Sequence, residues 1–235
     1  MNNIKGIIFD YGGTLDTNGM HWFHIFRQVY AKHLPQISEE LLREAYVYTE
    51  RHLATHRVIE STDDFHAMLQ KKVEIQLTQL MPELSHSILQ DTSSLIATDC
   101  DTYVHTNMEQ TREVIETLSA RYPLVLASNF YGNIHSVLRS YGIDSYFQDI
   151  IESAVVGIRK PDPQIFALGI SVLGLQPHEV LVVGDSYSKD IIPSHNLGCR
   201  TAWLKGKGWD KKEDSTVTSC ADAIIYTLSQ VLELL

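Results

Sequence analysis

Four short stretches of this chain hold residue types suited to moving a phosphoryl group. Asp10 closes the apolar run "GIIF" and is followed by Gly12, Gly13 and Thr14. Ser128 and Asn129 close "LVLASN", Lys160 lies in "GIRKPDPQIF", and Asp185 and Asp190 lie in "VVGDSYSKDI". A carboxylate can attack phosphorus and carry the group as an aspartyl-phosphate. Mg²⁺ takes hard oxygen ligands, commonly one or two carboxylates with water. Asp10 and Asp185 offer such oxygens, with Asp190 as a further ligand or a supporting partner. Glycines bring backbone N–H groups close to a phosphate, hydroxyls and amides add donors, and one lysine offsets the carboxylates. Singly, each residue is ordinary: a lone Asp at a strand end is usually a turn or cap residue. Their order carries the weight, each at the end of its own apolar run or just ahead of a helix.

The elements that must position these groups follow from the hydrophobic pattern. Ile4–Phe9, "LVLASN" and "EVLVVGD" read as buried strands, and Asp149–Glu152, "RTAWL" and "AIIY" as further strands. Met108–Arg121, Asn133–Tyr141, Pro161–Leu173, Ser188–Leu197 and Leu228–Leu235 read as helices between and after them. Strands alternating with helices imply a parallel sheet covered on both faces, with ligands beyond the carboxyl ends of the strands. Between the first strand and the rest lie "HWFHIFRQVYAKHL", "SEELLREAYVYTERHL" and "TDDFHAMLQKKVEIQLTQLM", all amphipathic at helical spacing, with Ser38 and Thr62 as N-cap candidates. The expected fold is therefore α/β, a Rossmann-like doubly wound parallel sheet core with an inserted all-helical domain. The core takes residues 1–17 and 101–235, and the insert takes 18–100. The aromatic residues of the insert read as packing, and its Lys32, Lys71 and Lys72 as charged helix faces.

Bulk composition narrows the partners. Of 235 residues, 44% are hydrophobic, enough to bury a core, and the formal charge is 19 − 29 = −10. A net negative chain without a basic cluster disfavours nucleic acid. The densest basic stretch, Lys205–Lys212, also holds Asp210 and is followed by Glu213 and Asp214. Cys100, Cys199 and Cys220 are too far apart for a zinc knuckle or disulfide framework. No apolar run is long enough for a membrane span or a signal peptide. The expectation is a cytoplasmic protein whose partner is a small phosphorylated molecule, with neither nucleic acid nor membrane involved.

At this point the chain resembles the haloacid dehalogenase-like (HAD) hydrolase superfamily, in the phosphatase-like branch with a helical cap after the first motif. "DYGGT" is similar to the D-x-D-G-T signature except at its third position, "LASN" to the second motif, "RKPDPQIF" to the third, and "VVGDSYSKDI" to the fourth. The resemblance implies that Asp10 is the nucleophile and a Mg²⁺ ligand, and that residue 12 lends a backbone carbonyl to the metal. Ser128 and Lys160 would hold the transferring group, with Gly12, Gly13, Thr14 and Asn129 around the phosphate. Asp185 and Asp190 would complete the metal site.

The departure is Gly12, where the family's phosphatases carry the general acid/base. Three readings follow. In the first, a phosphatase draws its proton from elsewhere, with Asp16, His21 and His24 as candidates just downstream. In the second, the chemistry is C–P or C–halogen cleavage. Relatives of those kinds use a cap lysine as a Schiff base, or an aromatic residue at position 12 without metal. Or the chain binds phosphate and metal without efficient turnover. The resemblance ranks the phosphatase-like hydrolase first.

Overall fold

The computed structural model describes residues 1, 3–209 and 220–235. The part of the basic stretch beyond Trp209 therefore lies outside the described residues. Six parallel strands form one sheet in the order β3-β2-β1-β4-β5-β6. They are β1 (Gly6–Phe9), β2 (Leu124–Ser128), β3 (Asp149–Glu152), β4 (Val180–Gly184), β5 (Arg200–Leu204) and β6 (Ala223–Ile225). The chain winds from β1 outward through β2 to β3, then returns to β4 on the other flank of β1. Strand order reverses at β1, and its carboxyl end faces the crevice this creates.

Side-chain alternation explains why both faces of the sheet are covered. Ile7, Phe9, Leu124, Leu126, Leu181 and Val183 belong to the larger apolar cluster. Their neighbours Ile8, Val125, Ala127, Val180 and Val182 belong to another on the opposite face. The period of two is that of a strand, and its two sets are both apolar because both faces are buried. The second face packs on α7 (Gln164–Leu173) through Ile165, Phe166 and Ile170.

The insert is helical: α1 (Trp22–His33), α2 (Glu39–Thr55), α3 (Phe65–Leu80) and the start of α4 (His86–Ser119), while α5 (Ile134–Ser140) follows β2 and α6 (Ser153–Val156) follows β3. The helix expected from Met108 begins at His86 and runs unbroken through residue 100. Its buried positions, from Ile96 and Cys100 to Ile115 and Leu118, join the insert and one face of the sheet in a single apolar cluster. Two side chains of α4 also hold the loop after β1. Thr111 Oγ1 donates to the Leu15 carbonyl at 2.8 Å, and Asn107 Nδ2 to that of Asp16 at 3.3 Å.

Other differences from expectation have local causes. Ser38 caps α2 as expected, but α3 is capped by Asp64, whose side chain accepts from Ala67 N–H, and not by Thr62. α7 starts at Gln164 because two prolines, Pro161 and Pro163, precede it, and a residue before proline avoids helical geometry. The stretch expected as one helix from Ser188 opens as a single π-type turn, Tyr187–Ile191, before α8 (Ile192–Asn196). Such turns recur at functional sites, and this one carries Asp190. The three cysteines are free. Among the described residues no helix is long and apolar enough to cross a membrane.

Candidate active site

The carboxyl ends of β1, β2 and β4 and the loop before α7 bring five of the expected residues together. Lys160, almost fully buried, sits between two acids, with Nζ 2.7 Å from both Asp10 Oδ1 and Asp190 Oδ1. Ser128 Oγ donates to the same Asp10 oxygen at 3.1 Å. Asp10 Oδ1 is thus fixed by two donors, while among the described residues Oδ2 has only a long contact of 3.4 Å from Thr14. One carboxylate oxygen is held and the other is left for a ligand. Burial alone would lower the Lys160 pKa, but Asp10 and Asp190 more than reverse that, so the ammonium stays charged.

Asp10, Asp185 and Asp190 each present an oxygen within 4.8 Å of the others. Three carboxylates face one lysine, which leaves net negative charge. Burial raises Asp185 well above the usual carboxylate range, with Asp10 and Asp190 adding to it. Burial also raises Asp190, to about 6 against the pull of Lys160. The cluster is all oxygen, suited to a hard divalent ion. Gly13 makes room for it: its φ is +95°, and a Cβ there would collide with the Asp185 carboxylate. These residues fit Mg²⁺.

Three expected phosphate contacts have other partners. The Gly13 N–H donates to Asp16 Oδ1 at 2.7 Å. Thr14 Oγ1 accepts from Asp185 N–H at 3.0 Å and so ties the first strand end to the fourth. Asn129 bonds the backbone of Lys160 from both sides, its Oδ1 accepting at 2.9 Å and its Nδ2 donating at 3.1 Å. All three side chains or amides position other members of the site.

Position 12 is open. A Cβ built on Gly12 meets no heavy atom within 4 Å, and its φ lies outside the left-handed region. The candidate substitute acids differ in placement. His24 points away: its Nε2 lies 2.8 Å from the Gly208 carbonyl, and it is not on the cavity wall. His21 lines the cavity, but its Nδ1 caps α1 by accepting from Phe23 N–H. Burial, then the nearby Lys189 charge, lowers its pKa to about 4. A neutral imidazole is too weak an acid to protonate a leaving oxygen at pH 7. Asp16 also lines the cavity, and burial raises it to about 7. Both its oxygens are engaged, Oδ1 by Gly13 and Oδ2 by the Trp22 indole N–H at 2.7 Å. It is the one candidate with a suitable pKa, and it is held in place as a brace.

The cavity over these groups has a volume of about 630 Å³. Trp22, Tyr46 and Phe65 of the insert form part of its wall, so these aromatics are more than packing. Trp209, in the loop after β5, stacks on Tyr46 at 5.6 Å and joins them. Arg51, Arg159 and Lys189 also line it, exposed and without an ion pair among the described residues. In a chain of charge −10, such a rim concentrates anions locally.

Sequence reasoning missed one wall element. Lys32 and Lys71 pair with Asp99 and Asp63 on helix surfaces, as expected. Lys72 does not belong with them. It is buried, 2.7 Å from Glu50 and 2.8 Å from the Tyr131 hydroxyl, and all three line the cavity. Burial works against its charge, but Glu50, Tyr46 and Asp16 together more than offset it and raise its pKa. The amine is therefore cationic, unlike the neutral lysine that Schiff-base chemistry needs. The pair Lys71-Lys72 gave no warning of this, because neighbours about 100° apart on a helix can both face solvent.

Known proteins agree with this architecture. The family model described as haloacid dehalogenase-like hydrolase matches residues 4–198. Glyceraldehyde 3-phosphate phosphatase of Pyrococcus furiosus is 33% identical over 93 residues, 40% of this chain and 38% of that protein. Pyrophosphatase PpaX of Bacillus velezensis is 29% identical over 132 residues, 55% of this chain and 59% of that one. The matched region thus spans well under two thirds of these curated relatives. Among solved structures, a dehalogenase with an intermediate complex superposes at a TM-score of 0.65 with 19% identity, covering 100% of this chain and 98% of that one. A HAD phosphatase from Thermococcus onnurineus superposes at 0.54 with 20% identity, covering 98% and 97%. Likeness at these identities establishes the fold.

Proposed function

This chain belongs to the haloacid dehalogenase-like hydrolase family, and we propose that it is a Mg²⁺-dependent, phosphatase-like hydrolase. Its substrate is a small phosphorylated metabolite, and an aspartyl-phosphate at Asp10 is the intermediate. The observation that carries this reading is the asymmetric grip on Asp10. Ser128 and Lys160 hold Oδ1, leaving Oδ2 for attack. The phosphatase names among the relatives support it.

In this reading Asp10 Oδ2 attacks phosphorus, and the bond to the leaving oxygen breaks with its electron pair going to that oxygen. Ser128 turns its one hydroxyl proton from Asp10 to a phosphoryl oxygen, and Lys160 gives another its third N–H. A water then displaces Asp10 from phosphorus, releasing inorganic phosphate and restoring the carboxylate. Asp10, Asp185, Asp190 and the backbone carbonyl of Gly12 would hold the Mg²⁺. When bound, the ion offsets the charge that these carboxylates and the phosphoryl group bring together.

The departing oxygen has no dedicated acid, because nothing stands at position 12 and Asp16 is tied to Gly13 and Trp22. Losing such a group typically costs about 10²–10⁴ in rate. Leaving groups that need little protonation are therefore favoured. The test is release of phosphate from p-nitrophenyl phosphate and acetyl phosphate, with and without Mg²⁺, using Asp10→Asn as the blank. Mg²⁺-dependent turnover absent from the variant supports the reading. Mg²⁺ binding with no turnover of either compound favours a phosphate-binding module instead. The charged, Glu50-paired Lys72 disfavours C–P cleavage through a Schiff base, and the retained acidic cluster disfavours metal-free dehalogenation.

A further inference from the structure

The wall that the insert contributes to the cavity holds a second polar cluster, which the phosphoryl chemistry does not use. Glu50 on α2, Lys72 on α3 and Tyr131 in the loop after β2 form a closed triangle. Lys72 Nζ lies 2.7 Å from Glu50 Oε1 and donates to the Tyr131 hydroxyl at 2.8 Å. That hydroxyl donates to Glu50 Oε2 at 2.7 Å. Lys72 is 5% exposed, and Tyr46, Met68 and Leu69 line the cavity together with the triangle, as do the polar Asp16, His21 and Arg51.

A buried ion pair is a poor source of stability, since apolar residues of similar volume often serve as well or better. Its position on a cavity wall gives it another use. An ammonium has three N–H donors, of which the Tyr131 hydroxyl takes one and the ion pair occupies at most another, and Glu50 Oε1 accepts no hydrogen bond beside that ion pair among the described residues. The cluster can therefore offer one donor beside one acceptor at zero net charge. A carboxylate or second phosphate brought there would meet Glu50, and an amine would meet Lys72. An alkyl group would leave both capacities unmet. A hydroxyl satisfies both, accepting from Lys72 and donating to Glu50.

We propose that Lys72, Glu50 and Tyr131 form a specificity site that reads a hydroxyl on the part of the substrate remote from its phosphate. The proposal rests on the phosphoryl reading of the Asp10 site, which fixes where the other end of the substrate lies. The substrate class is then a phosphorylated hydroxy compound, distinguished from alkyl and carboxyalkyl phosphates of the same length.

Binding of non-hydrolysable phosphonates in the presence of Mg²⁺ tests this by calorimetry. Alkyl, terminal hydroxyalkyl and terminal carboxyalkyl phosphonates of two to five carbons are compared. At one chain length the hydroxyl should tighten binding about tenfold over the alkyl compound, and the carboxylate should not. The double variant Glu50→Gln/Lys72→Met should lose that preference while binding alkyl phosphonates as the wild type does. A merely structural tie between insert and sheet would weaken all ligands alike, and that result overturns the proposal. Should the double variant fail to fold, Tyr131→Phe keeps the ion pair and removes both bonds of the hydroxyl, and it should reduce the hydroxyl preference alone. Equal affinity for alkyl and hydroxyalkyl compounds at every length in the wild type also overturns it, with the phosphoryl reading intact. Wild type that binds no phosphonate contradicts the phosphoryl reading itself, and the proposal falls with it.

Discussion

Lys160 and Asp10 are separated by 150 positions in the chain, yet the ammonium lies 2.7 Å from the carboxylate oxygen, both groups almost fully buried. The pair is one side of a three-point arrangement, because Asp190 receives the same ammonium at the same distance. Removing the lysine would leave two buried carboxylates without their counter-charge, which typically costs about 3–5 kcal/mol. Lys160→Met is expected to lower the thermal midpoint in the absence of divalent ions and to cut turnover by about 10²–10³. Calorimetric melting and phosphate release, measured on the same preparation, check both. A variant as stable and as active as wild type contradicts the assignment.

The acidic cluster predicts a specific response to Mg²⁺. An ion that binds only the folded state stabilises it by about 2.7 kcal/mol at a hundredfold excess over its Kd. The melting temperature should rise with Mg²⁺ in the wild type. Asp185→Asn removes one ligand oxygen's charge from the trio and should abolish the rise without preventing folding. An unchanged Mg²⁺ response in that variant would place the ion elsewhere.

Asp16 predicts a pH dependence with a definite sign. Burial raises its pKa from 3.8 to about 7 in the folded protein. Between those values the native state holds a proton that the unfolded chain releases, so stability falls as pH rises from about 4 to about 7. Above pH 7 the loss is complete, at most about 4 kcal/mol from this residue. Asp185 and Asp190 are raised too and act in the same direction, so the measurement is a difference. Asp16→Asn should flatten the fall in urea-unfolding stability between pH 5 and pH 8 relative to wild type. A variant whose stability falls as steeply as the wild type's contradicts the buried, proton-holding state.

Much of this site was readable because its residues sit where short-range rules apply. Asp10, Ser128 and Asp185 follow unbroken apolar runs, which mark buried parallel strands, and Lys160 is marked by its two prolines. Position along the sheet was less readable than element type. The reversal of strand order at β1 is a pairing choice made between segments more than 100 residues apart. Lys72 was unreadable for a similar reason. Its partners Glu50 and Tyr131 come from another helix and from a core loop, and amphipathic spacing alone does not tell a wall lysine from a surface one. Asp16 and Thr14 were visible as polar loop residues. Their actual duties, bracing Gly13 and linking β1 to β4, depend on hydrogen bonds that only the folded loop displays.

The most direct test of a phosphatase-like site without its acid is a leaving-group series, run with Mg²⁺ on wild type and Gly12→Asp. Position 12 has open space and an ordinary backbone conformation, so the new carboxyl can be accommodated. Wild-type kcat/KM should fall steeply from aryl to alkyl phosphates as the leaving-group pKa rises. Gly12→Asp should flatten that dependence, raising alkyl phosphate turnover by about 10²–10⁴ with little change for aryl phosphates. A shallow dependence in the wild type, unaltered by Gly12→Asp, would mean that another group already supplies the proton and would contradict the account.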